Sequence, residues 1–258
     1  MNDCRTRIFA LSDVHVDYEV NARWVQSLSR EDYRHDLLIL AGDITHRLPE
    51  LASCLSAFAE RFAKVLFVPG NHELWVAGDR SERTSLQKYA DVVAVAEQSG
   101  VCMRPYLHGN VLIAPLLGWY DYSFGQPSDE LRHLWTDFHA CRWPAGFQPE
   151  DVAAHFTRLN NTLSVQGAAR VITFSHFLPR IDLLPSYVSS SHRVLDPVLG
   201  SSRLERQLRA LGSSMHVYGH SHINRRIELD GVTYINNAFG YPGEERIAAR
   251  GLLCIDEL

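Results

Sequence analysis

Seven side chains in this sequence, Asp13, His15, Asp43, Asn71, His176, His220 and His222, are of the types that hold divalent metal ions. Each stands at, or just beyond, the C-terminal end of a short apolar run. Taken singly, each has an ordinary explanation. Asp13 and Asp43 could cap helices, Asn71 could occupy a left-handed turn, and a histidine after a strand is commonly a hydrogen-bonded surface or core group. That account must be invoked afresh at every position, whereas one shared site explains all seven. Asp13-Val14-His15 and His220-Ser221-His222 are i, i+2 pairs, whose side chains share a face in extended chain. Carboxylate, amide oxygen and imidazole together form a mixed oxygen and nitrogen site for divalent transition metals, with no soft thiolate among them. A carboxylate can bridge two ions, and two-metal centres have a spacing of roughly 3.5–4 Å. Two such ions against two carboxylates leave an excess of positive charge, part of which a bridging hydroxide removes. The remaining field favours an anionic substrate and the charge that builds up as phosphorus is attacked.

The elements that must position these groups are legible as apolar runs bounded by turn residues. Ile8-Phe9-Ala10-Leu11 ends at Asp13, Leu37-Leu38-Ile39-Leu40 at Gly42-Asp43, and Val65-Leu66-Phe67-Val68 at Gly70-Asn71. Val111 to Ala114, Val171 to Phe174, His216 to Tyr218, Val232 to Ile235 and Leu252 to Ile255 read as further strands. Leu51, Leu55, Phe58, Ala59 and Phe62 recur at helical spacing, and Ser81 to Ser99, Pro149 to Gln166 and Ser201 to Leu211 are expected helices. The first half is therefore β-α-β-α-β, a largely parallel sheet covered by helices. Asp230-Gly231 is expected to turn a hairpin in the strand-rich last third. Gly118 to Phe147, rich in aromatics, is expected to be a loop layer packing on the core. With no repeat or linker, residues 1–258 read as one domain. Ligands of open α/β sheets bind outside the carboxyl ends of the strands, where all seven candidates stand.

Composition narrows the function classes. Of the 258 residues, 46% are hydrophobic and 21% charged, which is ordinary for a globular protein with a large core. A net charge of -5 argues against a dedicated nucleic-acid binder, which carries a basic stripe. The five cysteines are scattered without a C-x-x-C pair, so neither a disulfide framework nor a cysteine zinc site is expected. No signal peptide and no apolar run of about 18 residues is visible, so a cytoplasmic protein is expected. Nothing in the sequence sets an oligomeric state.

The ordered set Asp13-Val14-His15, Gly42-Asp43, Gly70-Asn71-His72-Glu73, Ser175-His176 and Gly219-His220-Ser221-His222 resembles the calcineurin-like metallophosphoesterase superfamily. Each motif alone is weak; all five in order are specific. The resemblance implies an α/β fold, a four-layer α/β/β/α sandwich of two mixed sheets with the metals at one end. It implies two divalent ions drawn from Mn, Fe, Zn, Co or Mg, with Mn or Fe favoured. Asp13, His15, Asp43 and His222 would hold the first ion, Asp43 would bridge, and Asn71, His176 and His220 would complete the second. His72 aligns with the histidine that assists the leaving group while a metal-bound hydroxide attacks. Glu73 completes its motif with a role at least as readily structural as catalytic.

One departure matters. Protein phosphatases of this superfamily follow Gly-Asp with two residues and then Asp-Arg, whereas this chain has Ile44-Thr45-His46-Arg47. Arg47 matches the phosphate-binding arginine, but His46 stands where an aspartate would orient the catalytic histidine. The stretches Asp137 to Pro144 and Ser175 to Arg180 resemble uncharacterised bacterial and plant branches. The expected reaction is therefore phosphoester hydrolysis, as a phosphatase or phosphodiesterase, on a small soluble substrate. Arg47 tilts the choice toward monoesters. Tyr122, His139 and His192 are candidate substrate contacts on a cover over the site. A non-catalytic metal-binding scaffold and a nuclease are the alternatives; the complete ligand set counts against the first and the missing basic channel against the second.

Overall fold

Uninterrupted apolar runs make stable strands only where both of their faces are covered. The computed structural model, which describes residues 5–78 and 82–258, covers both faces of the central strands. In chain order the elements are β1 (Arg7–Leu11), α1 (Glu19–Ser27), β2 (Leu37–Leu40), α2 (Leu48–Ala59), β3 (Lys64–Phe67) and α3 (Ser85–Gln98). They continue with β4 (Tyr106–His108), β5 (Val111–Pro115), α4 (Asp129–Leu134), α5 (Asp137–Ala140), α6 (Pro149–Asn160) and β6 (Arg170–Phe174). The chain closes with α7 (Ser202–Ala210), β7 (Met215–Tyr218), β8 (Arg225–Leu229), β9 (Val232–Asn236) and β10 (Leu253–Glu257).

Two mixed sheets result. The first has the order β10-β1-β2-β3, the second β4-β5-β6-β7-β9-β8, and only β10, β4 and β8 run antiparallel to their neighbours. Strand alternation sorts the side chains into layers. Ile8, Ala10, Ile39 and Leu66 of the first sheet meet Ile113, Ile172, Phe174 and Val217 of the second in a closed interlayer. Phe9, Leu11, Leu38, Leu40 and Phe67 turn the other way, onto Val25, Leu55, Phe58 and Val92 of α1 to α3. On the far side, Tyr218 and Tyr234 pack with Val152 and Phe156 of α6 and Leu204 and Leu208 of α7. This is the four-layer sandwich. Truncating an interlayer residue such as Ile39 or Ile172 to alanine costs about 2–5 kcal/mol, a large part of a domain's stability.

Particular elements depart from the expected pattern for physical reasons. Helix α1 is not legible as an apolar stripe because it buries Asn21 as well as Val25; the Asn21 amide donates to the carbonyls of Val14 (2.8 Å), His15 and Gly240. Helix α6 stops at Asn160, short of Gln166, because the Asn160 side chain bonds the backbone of Leu117 and the Gln207 side chain. The Asp230-Gly231 turn is present: Leu229 faces Val232 across it, and both turn residues have positive φ (50° and 76°) as a two-residue hairpin requires. Gly118 to Phe147 is a packing layer, with Trp119 and Tyr120 fully buried, though it contains the short helices α4 and α5. Cys54, Cys102, Cys141 and Cys254 are free thiols. Cys4 and Ser81, the expected start of a helix, lie outside the described residues.

His216 on β7 is buried behind the sheet ends. Ser175 Oγ gives its hydrogen to the Phe177 carbonyl (2.7 Å), so it accepts from His216 Nε2 (3.0 Å), while Nδ1 accepts from Thr173 Oγ1 (2.7 Å). Burial pushes the pKa of this ring down from 6.5 to about 3. Below its ordinary pKa the unfolded chain takes up a proton that the folded chain refuses. Stability therefore falls as pH drops from 6.5 toward 3, by at most about 1.4 kcal/mol per unit. Urea unfolding of metal-stripped wild type and His216→Gln across pH 7 to 4 checks this. The wild type should lose stability relative to the variant on acidification, and a pH-independent difference would contradict the account.

Candidate metal centre

The loops that follow β1, β2, β3, β6 and β7 deliver the seven expected ligands to one end of the sandwich. They do so through unusual backbone. Asp13, His15, Asp43, His220 and His222 all have positive φ, between 44° and 68°, a region costly for side chains other than glycine. The i, i+2 pairs are therefore brought together by left-handed turns rather than by extended chain. Backbone bonds hold these turns: Asp13 N–H donates to the Gly42 carbonyl (2.9 Å), His15 N–H to that of Asp43 (3.1 Å) and Gly240 N–H to that of Asp13 (2.9 Å).

Glu73 locks two of the loops to each other. Its buried carboxylate accepts the backbone N–H groups of Asp43 (3.0 Å), Ile44 (2.6 Å), Thr45 (3.0 Å) and Gly70 (2.7 Å). Burial and the neighbouring Asp43 charge push its pKa up to about 7, and the Gly70 and Thr45 N–H groups pull the other way. The role is structural. The motif glycines are set by close approach: a Cβ on Gly70 would lie 2.1 Å from Asp43 Oδ1, and one on Gly42 2.6 Å from His176 Nδ1.

The ligand atoms gather in overlapping groups: Asp13, His15 and His222; His15, Asp43 and His72; and Asp43, His176 and His220. Within the first, His15 Nε2 lies 3.2 Å from His222 Nε2, which is 3.3 Å from Asp13 Oδ1. Within the last, His176 Nε2 lies 3.0 Å from His220 Nδ1, 3.1 Å from Asn71 Oδ1 and 3.3 Å from Asp43 Oδ2. Three of these rings spend their other nitrogen elsewhere: His222 Nδ1 on Glu244 (2.6 Å), His176 Nδ1 on the Ala41 carbonyl (2.9 Å) and His220 Nε2 on the Val198 carbonyl (3.1 Å). In that tautomer the facing nitrogens are lone pairs aimed at each other and at oxygen acceptors, an arrangement only cations satisfy. Protons do so in part. Burial works against charging His176 and His222, yet Asp43 lifts the first to about 9, and Asp13, joined by Glu244, lifts the second to about 10. Burial leaves His15 and His220 at about 3. The chemistry of the donor set fits divalent metal ions.

His72 is held differently. Its ring stacks on Trp75, with centroids 3.7 Å apart, and its Nε2 is 3.7 Å from Asp43 Oδ2. The backbone N–H of His72 donates to Asp43 Oδ1 (3.0 Å). His46, which replaces the orienting aspartate, turns instead toward Asp17, Nδ1 to Oδ1 3.7 Å. The aromatic face of Trp75 thus does the orienting.

Asp137 escaped the sequence reading of the site. Buried, it accepts from Asn71 Nδ2 (2.9 Å), Trp75 Nε1 (2.6 Å) and Trp135 Nε1 (2.8 Å). Holding the Asn71 NH₂ turns Asn71 Oδ1 toward His176; holding Trp75 fixes the platform under His72. Glu244, on His222, was missed likewise. Both partners are distant in sequence from the ligand candidates they hold, and although Asp137 opens one of the stretches that resemble uncharacterised branches, nothing in that stretch points to Asn71.

The remaining candidates fall in different surroundings. Arg47 pairs with Asp17 (3.4 Å) and Glu50 (3.2 Å) and lines a cleft of about 350 Å³ with His46, Arg83 and Lys88. Tyr122 is buried in the far-side apolar cluster, with the Arg132 guanidinium 5.9 Å from its ring centroid. His139 lies at the surface, Nε2 3.1 Å from the His133 carbonyl. His192 lines a cavity of about 450 Å³ together with His220 and Glu244.

A calcineurin-like phosphoesterase family model matches residues 6–224. The chain is 28% identical to the [acyl-carrier-protein] phosphodiesterase PptH of Mycobacterium tuberculosis, over 93% of this chain and 79% of the relative. The crystal structure of that organism's phosphopantetheinyl hydrolase (PptH) is similar with a TM-score of 0.76 at 25% identity, covering 92% of this chain and 90% of the other. The yellow lupin (Lupinus luteus) purple acid phosphatase PPD1 aligns at a TM-score of 0.47 and 13% identity, over 90% of this chain and 43% of its own.

Asp137→Ala tests these supporting contacts. Removing the carboxylate takes the acceptor from all three N–H groups, so Asn71 loses its fixed orientation. Loss of such a partner costs about 10- to 100-fold in metal affinity. Calorimetric titration with Mn²⁺ should show one weakened site and one little changed, the latter that of Asp13, His15 and His222. Equal weakening of both, or of neither, would refute the assignment.

Proposed function

We propose that this chain, which belongs to the calcineurin-like phosphoesterase family, is a phosphodiesterase that cuts a phosphopantetheine arm from a hydroxyl of a carrier protein. That it is a metallophosphoesterase, a phosphoric ester hydrolase, follows from the family. The observation that carries the mechanism is the convergence of ligand-type atoms into three overlapping groups, two of which contain Asp43. The substrate class rests on the named activity of PptH, together with alignment over nearly the whole chain.

When bound, two divalent ions supply positive charge at the phosphoryl oxygens and lower the pKa of a water. Asp13, His15, Asp43 and His222 would hold one ion; Asn71, His176 and His220, with Asp43, the other. Which of Mn and Fe fills them belongs to this proposal. His72, stacked on Trp75 beside Asp43, holds the proton for the departing oxygen. Water adds to phosphorus, the bond to the carrier-protein oxygen breaks, and that oxygen takes the proton; the products are a phosphomonoester and a free hydroxyl.

We prefer this reading to the small soluble monoester first expected, because the named activity of PptH is on a carrier protein. Arg47, the argument for a dianion clamp, is paired with Asp17 and Glu50. The family membership and complete ligand set turn against a non-catalytic scaffold, and the negative charge against a nuclease. No helix among the described residues is long and apolar enough to cross a membrane. We place the reaction in the cytoplasm and treat the chain as one domain.

Incubating the Mn²⁺-loaded protein with holo-carrier protein should release phosphopantetheine and apo-carrier protein, read by intact mass. Asp43→Asn should abolish the release while preserving the far-UV spectrum. Turnover confined to nitrophenyl phosphate, with holo-carrier protein untouched, would return the choice to a small monoester.

General acid catalysis contributes about 100- to 10,000-fold, so His72→Ala should slow carrier-protein cleavage by that order. The loss should shrink on bis-nitrophenyl phosphate, whose leaving group needs little protonation. An identical loss on both substrates would remove His72 from proton transfer.

A further inference from the structure

The cavity of about 450 Å³ beside the last ligand group has no role in the chemistry above. Its size is that of a small-molecule site. His220 belongs to both: Nδ1 faces His176 Nε2 at 3.0 Å, and the same ring forms part of the cavity wall. A phosphoryl group at the metal centre therefore has one substituent that can run directly into this space.

The walls specify what that substituent is. Leu184, Leu195, Leu199 and Ile223 supply alkyl surface, and Trp135 closes one side, its ring edge-on to His220 at 5.8 Å between centroids. The two N–H donors beside the ligand group are committed: Trp135 Nε1 to Asp137 (2.8 Å) and His220 Nε2 to the Val198 carbonyl (3.1 Å). Among the described residues no lysine or arginine lines the cavity. It therefore carries no fixed positive charge for a second phosphate, a carboxylate or a nucleic-acid backbone. What it offers is apolar surface with a few scattered polar groups, Tyr187, Ser221 and Glu244 among them. That suits a neutral, branched alkyl chain interrupted by amides.

We propose that this cavity binds the neutral arm of the diester, a pantetheine-type chain, with its phosphate end at His220 and its thiol end away from the metals. The inference rests on the phosphopantetheine reading of the substrate. It makes the arm, rather than the carrier protein, the main source of specificity. Leu195 and Val188 are then specificity-determining residues that touch the arm and not the reacting atoms.

The test uses the Mn²⁺-loaded full chain, with bis-nitrophenyl phosphate as a substrate that has no arm. Free 4′-phosphopantetheine and phosphate-free pantetheine serve as competitors. Leu195→Trp and Val188→Trp, on different segments of the wall, fill the cavity; the second covers the case in which the first misfolds. Both competitors should inhibit the wild type competitively. Blocking an apolar subsite costs about tenfold or more, so each variant should lower the ratio of kcat/KM on holo-carrier protein to that on bis-nitrophenyl phosphate by that factor, chiefly through KM. Inhibition by pantetheine should weaken in parallel. Two failures are distinguishable. If holo-carrier protein is not cleaved but pantetheine inhibits and Val188→Trp relieves it, the cavity assignment stands and the carrier-protein reading falls. If holo-carrier protein is cleaved while neither competitor inhibits, or neither variant alters the ratio, the arm lies elsewhere and the assignment is overturned.

Discussion

Four backbone N–H groups from two loops converge on the Glu73 carboxylate, and the placement of Asp43 depends on them. Asp43 sits at positive φ, which costs on the order of 1–3 kcal/mol. Hydrogen bonds to a charged acceptor contribute about 1.5–3 kcal/mol each, so four of them outweigh that strain. The left-handed residue also aims successive N–H groups the same way, which builds the concavity that the carboxylate fills. The price is a like charge close to Asp43, felt as an upward push on the Glu73 pKa. Cations on Asp43 remove that repulsion. The anchor and any ions held on Asp43 would therefore favour each other.

What could be read from the sequence follows the range over which its signals act. Alternation and apolar runs act locally, so β2 was found with its true bounds and most other strands to within a residue or so. Turn chemistry is also local, which is why Asp230-Gly231 was legible. The four-layer arrangement and the roles of the ligands came from resemblance rather than from periodicity. The structure then gathers all seven ligands, but through left-handed turns that the i, i+2 spacing did not suggest. Asp137 and Glu244 were out of reach for another reason. An aspartate that supports Asn71 from 66 residues away leaves no local trace. Tyr122 is a different case: an aromatic in an irregular segment reads the same whether it faces solvent or, as here, packs in an apolar cluster.

The replacement at His46 shows how a function can pass to different chemistry. Where a carboxylate would steer the His72 ring by a hydrogen bond, Trp75 steers it by a stacked face. A face constrains the plane of the ring and leaves its nitrogens open. Asp137 holds Trp75 at the indole nitrogen and Trp135 by the same device, so one buried carboxylate sets the His72 platform, the Asn71 amide and a wall of the apolar cavity. The Asn71 amide, the ring platform and the cavity wall are tied through a single residue, so that neither wall nor platform can drift without disturbing the other.

The interlayer between the sheets has a consequence for how the protein is made. Asp13, Asp43 and Asn71 hang from the first sheet, whereas His176, His220 and His222 hang from the second. Two of the three groups draw on both sheets: Asp13 and His15 meet His222, and Asp43 meets His176 and His220. These two gather only once most of the chain exists and the sheets have packed, whereas His15, Asp43 and His72 come from the first sheet's loops alone. An ion held by either mixed group would thus bind a nearly finished fold, and its retention would report that the two sheets have found each other.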